Sequence, residues 1–143
     1  MTVARILAIK GRDVVTAQPH LTLREAADVL ARNRIGAVVV SDAAGGVLGI
    51  LSERDIVRAV SSGGADALTD PVSRHMTAKV ISTSEDESIE ETMETMTRSR
   101  VRHLPVIRDG RLAGMISIGD VVKIRLEAME TEHRAMREYI ANA

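Results

Sequence analysis

One pattern of residues occurs twice in this chain of 143 residues, and the duplication restricts the possible folds more than any other feature. Residues 14–16 (VVT) recur as 80–82 (VIS), and 22–32 recur as 88–98, each time shifted by 66 positions. The shift falls to 65 at Ser52 and Ser117 because the second hairpin is one residue shorter. A repeat at a fixed offset indicates two copies of one structural unit.

Each copy has the periodicity of a strand, a helix, two strands and a second helix. Apolar residues at helical spacing follow Thr22 and Ser88, and short runs rich in Val, Ile and Leu flank turns at 42–46 and 109–110. A unit of about 50 residues is too small to be stable alone. We therefore predict an α/β (α+β) fold in which two β-α-β-β-α repeats face each other around a pseudo-twofold axis. The predicted organisation is a first repeat at 7–62, a linker at 63–75, a second repeat at 76–125 and an extension at 126–143. The Ser- and Gly-rich stretch 61–64 marks where the linker begins, and a short helix is predicted over residues 3–9.

Both copies close with a strand that runs into a helix through a serine followed three residues later by an aspartate. These segments are residues 49–55 (GILSERD) and 114–120 (GMISIGD). Serine and aspartate then project beside the unpaired N–H groups of a new helix, where they suit a sugar diol or an anion. The alternative is a capping box that only satisfies the helix end. Two other predicted capping boxes, Thr22–Glu25 and Ser88–Glu91, use the longer glutamate, so the shorter aspartate favours the ligand role.

Composition excludes several classes of function. The net charge of −1, the absence of Phe and Trp and the single Tyr disfavour nucleic acid, which proteins bind with basic surfaces and aromatic rings. There is no cysteine for disulfide or thiolate chemistry. The chain contains no apolar run of about 20 residues and no signal peptide, so we expect no membrane association and a cytoplasmic location. The four histidines have no metal-ligand spacing and no catalytic frame is visible, so we expect neither a metal cofactor nor enzymatic activity.

The doubled unit, with GILSERDIV (49–57) and GMISIGDVV (114–122) closing its copies, resembles a tandem pair of cystathionine-β-synthase-type (CBS) domains, a Bateman module, from about residue 7 to 125. The resemblance implies that adenosyl ligands bind in the clefts between the repeats: AMP, ADP, ATP, NAD(H) or S-adenosylmethionine. It also implies the site residues. Asp55 and Asp120 match ribose ligands and Ser52 and Ser117 the adjacent hydroxyl contact. Backbone groups at Val14 and Val80 match those that read the adenine edge. The segment opposite, which holds the base and reaches phosphate, corresponds to Ile35, Gly36, Ala37, Arg102, His103 and Leu104.

The two clefts differ in charge at the segment that would reach phosphate. Arg102 and His103 supply cationic groups in the second copy, whereas Gly36 and Ala37 stand there in the first. The first cleft must then use Arg34 or Arg54 or bind less phosphate, so we expect unequal sites; whether one or both clefts are occupied stays open. His103 is either a phosphate-sensitive titrating group or an exposed residue at the start of a strand.

The C-terminal segment continues beyond the second repeat. A helix is predicted from Ile118 to about Ala141. Its apolar positions recur at spacings of four and three residues, which is a heptad pattern: Val122, Leu126, Met129, His133, Met136 and Ile140. We predict that this seam joins two chains in a homodimer. The alternatives are that it folds back over its own module or binds a different protein.

The sequence thus predicts a stand-alone, energy-sensing regulatory module that binds an adenine nucleotide and changes its shape or its affinity for an unidentified downstream protein. One alternative is a ligand-independent dimerisation or scaffold module in which the serines and aspartates only cap helices. Another is a hydrolase or nucleotidyl enzyme.

Overall fold

The computed structural model describes all residues from 1 to 143. It confirms a mixed α/β fold with two β-α-β-β-α units and a long C-terminal helix. The first unit contains a three-stranded sheet in which β1 runs parallel to β2, and β2 is antiparallel to β3. Its elements are β1 (Thr16–Ala17), α2 (Leu23–Asn33), β2 (Ala37–Ser41), β3 (Val47–Ser52) and α3 (Glu53–Gly63).

The second unit repeats this plan with a smaller sheet. Strands β4 and β5 pair antiparallel, and the place of β1 is taken by a single parallel bridge between Thr83 and Val106. The prediction of a strand at Val80–Ser82 is therefore wrong, and the first strand begins at Thr16 and not at Val14. The elements of this unit are α5 (Ile89–Ser99), β4 (His103–Arg108), β5 (Arg111–Ser117) and α6 (Ile118–Ala141).

The two units exchange the helices that precede them. Helix α1 (Val3–Lys10) stands before the first unit but buries Val3, Ile6 and Leu7 in the core of the second. A 3₁₀ helix (Gly64–Thr69) and α4 (Val72–His75) stand before the second unit but bury Ala67 and Val72 in the core of the first. Each core thus contains apolar side chains from a segment that leads into the other repeat.

The exchange also gives the predicted linker a defined structure. Ser61, Ser62 and Gly63 form the last turn of α3, and Gly64 begins the 3₁₀ helix, so the Ser61–Gly64 stretch is helical. A Ser- and Gly-rich sequence predicts a loop from local preference. Here the burial of Ala67 and Val72 beyond it outweighs that preference.

Helix α6 begins on the second core and then leaves the module. Val121 and Ile124 are buried in that core, whereas every residue from Met129 to Ala143 is exposed. The predicted extent of the helix is confirmed, and the alternative that it folds back over its own module is wrong. None of the helices combines the length and hydropathy that a transmembrane span needs.

A cleft between the repeats as the candidate functional site

The first Ser–Asp pair, Ser52 and Asp55, is a capping box at the start of α3. The Ser52 hydroxyl accepts from the Asp55 N–H (3.3 Å), and Asp55 Oδ2 accepts from the Ser52 N–H (2.9 Å) and hydroxyl (3.1 Å). The Glu53 N–H donates to the Gly36 carbonyl at 3.0 Å, which ties the helix to the start of β2. The second oxygen of Asp55 has no partner in the chain.

The second Ser–Asp pair, Ser117 and Asp120, has the same capping geometry and an additional partner. Asp120 Oδ2 accepts from the Ser117 N–H at 2.8 Å and from Lys10 Nζ at 2.7 Å, and Lys10 also donates to the Met115 carbonyl at 2.8 Å. Burial raises the pKa of Asp120, but the hydrogen bonds from Lys10 and Ser117 outweigh it and leave the pKa below its ordinary value. This carboxylate is therefore ionised and paired.

From the sequence, the use of aspartate in place of the longer glutamate favoured a ligand role over helix capping, and these contacts correct that interpretation. Both aspartates fold back onto backbone amides, so the short side chain does cap the helix. The Thr22–Glu25 capping box is confirmed, whereas Ser88 accepts from the Glu91 N–H without a return bond from the Glu91 side chain. Capping uses only Oδ2 of each aspartate, so it leaves Oδ1 of Asp55 available to a ligand.

A cleft of about 840 Å³ opens beside the first Ser–Asp pair. Its volume lies within the range of small-molecule sites. The second repeat forms its opposite wall through Ser99, Arg100, Val101, Arg102 and His103, so the cleft belongs to both repeats. The second Ser–Asp pair does not line this cleft, and its carboxylate is paired with Lys10.

The cleft is cationic. Five basic side chains line it against two carboxylates, those of Glu53 and Asp55. None of the five makes an ion pair within the chain. Unpaired basic groups around one concavity attract an anion, and arginine in particular matches phosphate oxygens. The five are Arg54, Arg58, Lys79, Arg100 and Arg102.

His103 lies at the junction of the two repeats. A side chain at Gly36 would place its Cβ 2.8 Å from Glu53 Oε1 and 3.2 Å from His103 Cε1, so the absence of a side chain allows this approach. Burial lowers the pKa of His103, although the nearby Asp120 and Glu53 carboxylates act in the opposite direction. His103 is half-buried, so the alternative of an exposed histidine is wrong.

The family model for the CBS domain matches the chain twice, over residues 6–62 and 72–127. The chain belongs to the CBS-domain family. The crystal structure of the CBS-domain containing protein ATU1752 from Agrobacterium tumefaciens is similar, with a TM-score of 0.86 and 51% sequence identity. The match covers 87% of this chain and 99% of that one. The CBS domain-containing protein YhcV of Bacillus subtilis is 33% identical over 109 residues, which are 76% of each chain.

A ligand-bound CBS structure is also similar. The CBS domain protein PAE2072 from Pyrobaculum aerophilum, solved in complex with AMP, is 29% identical with a TM-score of 0.75. The match covers 84% of this chain and 89% of that one.

The structure brings half of the predicted site residues together. Those that line the cleft are Gly36, Ala37, Ser52, Arg54, Asp55, Arg102 and His103; those that do not are Val14, Arg34, Ile35, Val80, Leu104, Ser117 and Asp120. Leu104 is fully buried in the second core, and Ile35 packs against the first. Of the two arginines predicted to supply charge to the first cleft, Arg54 lines it and Arg34 does not, and Arg100, the equivalent of Arg34 in the second repeat, also lines it.

Sequence reasoning missed several cleft residues, among them Arg58, Lys79, Ile81 and Arg100. Arg100 and Arg34 both end a helix in the left-handed conformation, at φ of 55° and 53°. The duplicated pattern therefore makes the two arginines equivalent in sequence, and it does not predict which one faces the cleft.

A second concavity, of about 690 Å³, lies near the N-terminus between Thr2 and Asp109 and contains none of the predicted site residues. No three His, Asp or Glu side chains lie close enough together to hold a metal ion.

Proposed function

We propose that this CBS-domain pair is a regulatory module that binds an adenine nucleotide in the cleft between its repeats and does not catalyse a reaction. The observation that carries the proposal is the combination, in one cleft, of a carboxylate with a free oxygen and five unpaired basic side chains. That combination matches a sugar diol joined to phosphate. The AMP complex of a similar CBS protein supports the same ligand class.

The ribose contact is assigned to Asp55. Its capping bonds hold the carboxylate at the start of α3, and Oδ1 is free to accept from the 2′- and 3′-hydroxyls. Because the carboxylate is already oriented, binding does not have to order it. The capping box therefore prepares the ligand contact.

The phosphates are assigned to the basic side chains of the opposite wall, chiefly Arg100 and Arg102. Hydrogen bonds between guanidinium and phosphate are charge-assisted and frequently bidentate. Purine stacking on aromatic rings is not available here, so the base lies against aliphatic groups such as Ile50 and Ile81. The same cleft can hold AMP, ADP, ATP or NAD(H), which share these parts.

A ligand in this position contacts both repeats at once. Asp55 belongs to the first repeat, whereas Arg100 and Arg102 belong to the second. A molecule that bridges them favours the relative orientation of the repeats that satisfies both contacts. Binding then shifts the population of orientations, and a downstream partner that distinguishes them responds by linkage.

The proposal is tested by calorimetric titration of Asp55→Ala with AMP and ATP. Both Asp55→Ala and Asp120→Ala lose the same capping box, so Asp120→Ala is the matched control for folding. Loss of a charged acceptor for two hydroxyls should weaken binding to Asp55→Ala by about 2–3 kcal/mol, or about 30- to 150-fold. Asp120→Ala should bind as the parent does. Equal affinities for all three proteins would refute the ribose assignment.

A second pair of variants tests the phosphate wall. Arg100 and Arg34 occupy the same left-handed position at the end of α5 and α2, so Arg100→Ala and Arg34→Ala carry the same local backbone cost. Arg100→Ala should lose about tenfold in affinity for ATP and less for adenosine, which has no phosphate. Arg34→Ala should keep the parent's affinity for both. An equal loss for adenosine and ATP would contradict the assignment.

The capping boxes also support a second function, a ligand-independent scaffold, because they show that both aspartates have a structural role. The two functions differ in one measurement. A scaffold shows no saturable heat with any adenine nucleotide, whereas the sensor shows one site that depends on Asp55.

The exposed apolar seam of α6 supports association of two copies of the chain. Within the chain nothing covers Val122, Leu126, Met129, Met136 or Ile140. A homodimer that buries this face would carry two nucleotide clefts.

A further inference from the structure

The seam of α6 (Val122, Leu126, Met129, His133, Met136 and Ile140) extends over 19 positions, about 27 Å of helix. Its apolar members are between 43% and 66% exposed. Val121 and Ile124 lie on a different face of the helix and are buried against the module, so the seam faces away from its own chain. A second helix can reach it without displacing any contact of the second core.

The flanking charges define how such a helix would run. With Leu126, His133 and Ile140 at a positions and Val122, Met129 and Met136 at d positions, the e and g positions follow from the heptad. Lys123, Glu130 and Arg137 occupy e, and Arg125, Glu132 and Tyr139 occupy g. Charges at e and g set partner choice and orientation in coiled coils.

A parallel, in-register pair places each g residue beside the e residue five positions later in the second helix. The charged pairs are then Arg125 with Glu130 and Glu132 with Arg137, and both are attractive. An antiparallel pair that superposes the seam on itself is centred on Thr131. It places Glu130 against Glu130, Glu132 against Glu132, and Lys123 against Arg137, so every charged pair repels.

Three of these groups are free to form the contacts. Glu130, Glu132 and Arg137 make no ion pair within the chain. Arg125 already pairs with Glu90 at 2.8 Å, so it contributes less to association. The Glu132–Arg137 pair is therefore the one that distinguishes the two directions.

We propose that the surface of α6 between Val122 and Ile140 binds a second copy of this chain as a parallel, in-register coiled coil whose direction is set by Glu132 and Arg137. This inference rests on the homodimer proposed above and is independent of the nucleotide. The polar His133 layer at the middle of the seam matches itself only in the parallel register. A single polar a position specifies register at some cost in stability.

Crosslinking of the full chain tests the direction. Because the chain has no cysteine, Met136→Cys introduces a single thiol. In the parallel coil the two thiols face each other, and mild oxidation should give a covalent dimer. In the antiparallel packing they lie about 15 Å apart along the axis, too far to bridge. Thr131→Cys, on the outer face of the coil, is the control and should stay uncrosslinked.

Charge reversal gives a second, independent readout by sedimentation equilibrium at low ionic strength. In the parallel coil, Arg137→Glu faces Glu132 and should weaken the dimer about tenfold, and the double variant Glu132→Arg/Arg137→Glu should restore it. In the antiparallel packing, Arg137→Glu faces Lys123 and should strengthen the dimer.

The outcomes separate the two proposals. A chain that stays monomeric at every concentration refutes the homodimer. A dimer that fails to crosslink through position 136, or that Arg137→Glu tightens, refutes the parallel direction while the homodimer stands. A covalent dimer together with the restored double variant supports both.

Discussion

The two Ser–Asp pairs share one local structure and differ in what stands next to it. Each serine and aspartate forms a capping box, and each helix is tied to the start of a strand, through Gly36 in the first repeat and Arg102 in the second. The difference comes from the segment that the other repeat contributes. At the shift of 66 positions, Lys10, which pairs with Asp120, corresponds to Met76 in the segment that precedes the second repeat, and methionine cannot neutralise a carboxylate.

The same exchange changes how the last strand of each repeat is hydrogen-bonded to the exchanged segment. In the first repeat the Ile50 N–H and carbonyl pair with the backbone of Thr77, at 3.0 and 2.9 Å. In the second repeat the equivalent carbonyl, that of Met115, accepts from the Lys10 side chain. The capping motif therefore builds the start of the helix in both repeats, whereas the preceding segment decides which charge stands beside the carboxylate.

The largest expected effect is on stability and concerns the contact between each closing strand and the exchanged segment beside it. Alanine at Gly49 would place its Cβ 2.8 Å from the Thr77 carbonyl, which is backbone and paired, whereas alanine at Gly114 would meet the Leu7 side chain at 2.7 Å. We expect Gly49→Ala to lose about 3 kcal/mol of unfolding free energy and Gly114→Ala about 1–2 kcal/mol, because a side chain yields more easily. Urea denaturation measures both. If Gly114→Ala lost more unfolding free energy than Gly49→Ala, the proposed difference between the two contacts would be wrong.

The next effect concerns the number of ligand sites. Lys10→Met makes the second Ser–Asp pair resemble the first by removing the ammonium from Asp120. We expect calorimetry with AMP to change from one site per chain to two, the new site being about tenfold weaker than the first. Lys10→Arg keeps the positive charge and should remain at one site. If Lys10→Met still binds a single nucleotide, Lys10 is not what makes the two pairs unequal.

The smallest expected effect is a pH dependence of stability that originates at His103, where the two repeats meet. Because burial holds the pKa of His103 below its ordinary value, the folded chain binds fewer protons there than the unfolded chain does. Stability should therefore rise with pH up to the ordinary histidine pKa of about 6.5 and be constant above it. His103→Gln should flatten this part of the profile, measured as melting temperature from pH 5 to 8. An unchanged profile would assign the dependence to another group.

Much of the fold was predictable because its determinants are local and occur twice. The apolar periodicity after Thr22 and Ser88 places α2 and α5, and the turns at 42–46 and 109–110 place both hairpins. The Ser-x-x-Asp pattern places the starts of α3 and α6. Seven of the 17 cleft residues follow from the same signals, since they lie at the ends of elements that periodicity locates.

The other ten cleft residues depended on which repeat faces which. Local pattern does not show that α1 packs on the second core, that Arg100 and not Arg34 lines the cleft, or that Lys10 reaches Asp120. Val80–Ser82 resembles a strand in sequence, yet only Thr83 pairs with β4.

By itself, then, the sequence determined two copies of one strand and helix pattern, with a capped helix at the end of each and an apolar seam on the last. Only the tertiary structure decided that one aspartate lies in a cleft beside five unpaired cations while the other is paired with Lys10. The physical reason is that capping and periodicity act within a few residues, whereas the charge around each carboxylate is set by side chains up to 110 positions away in the chain.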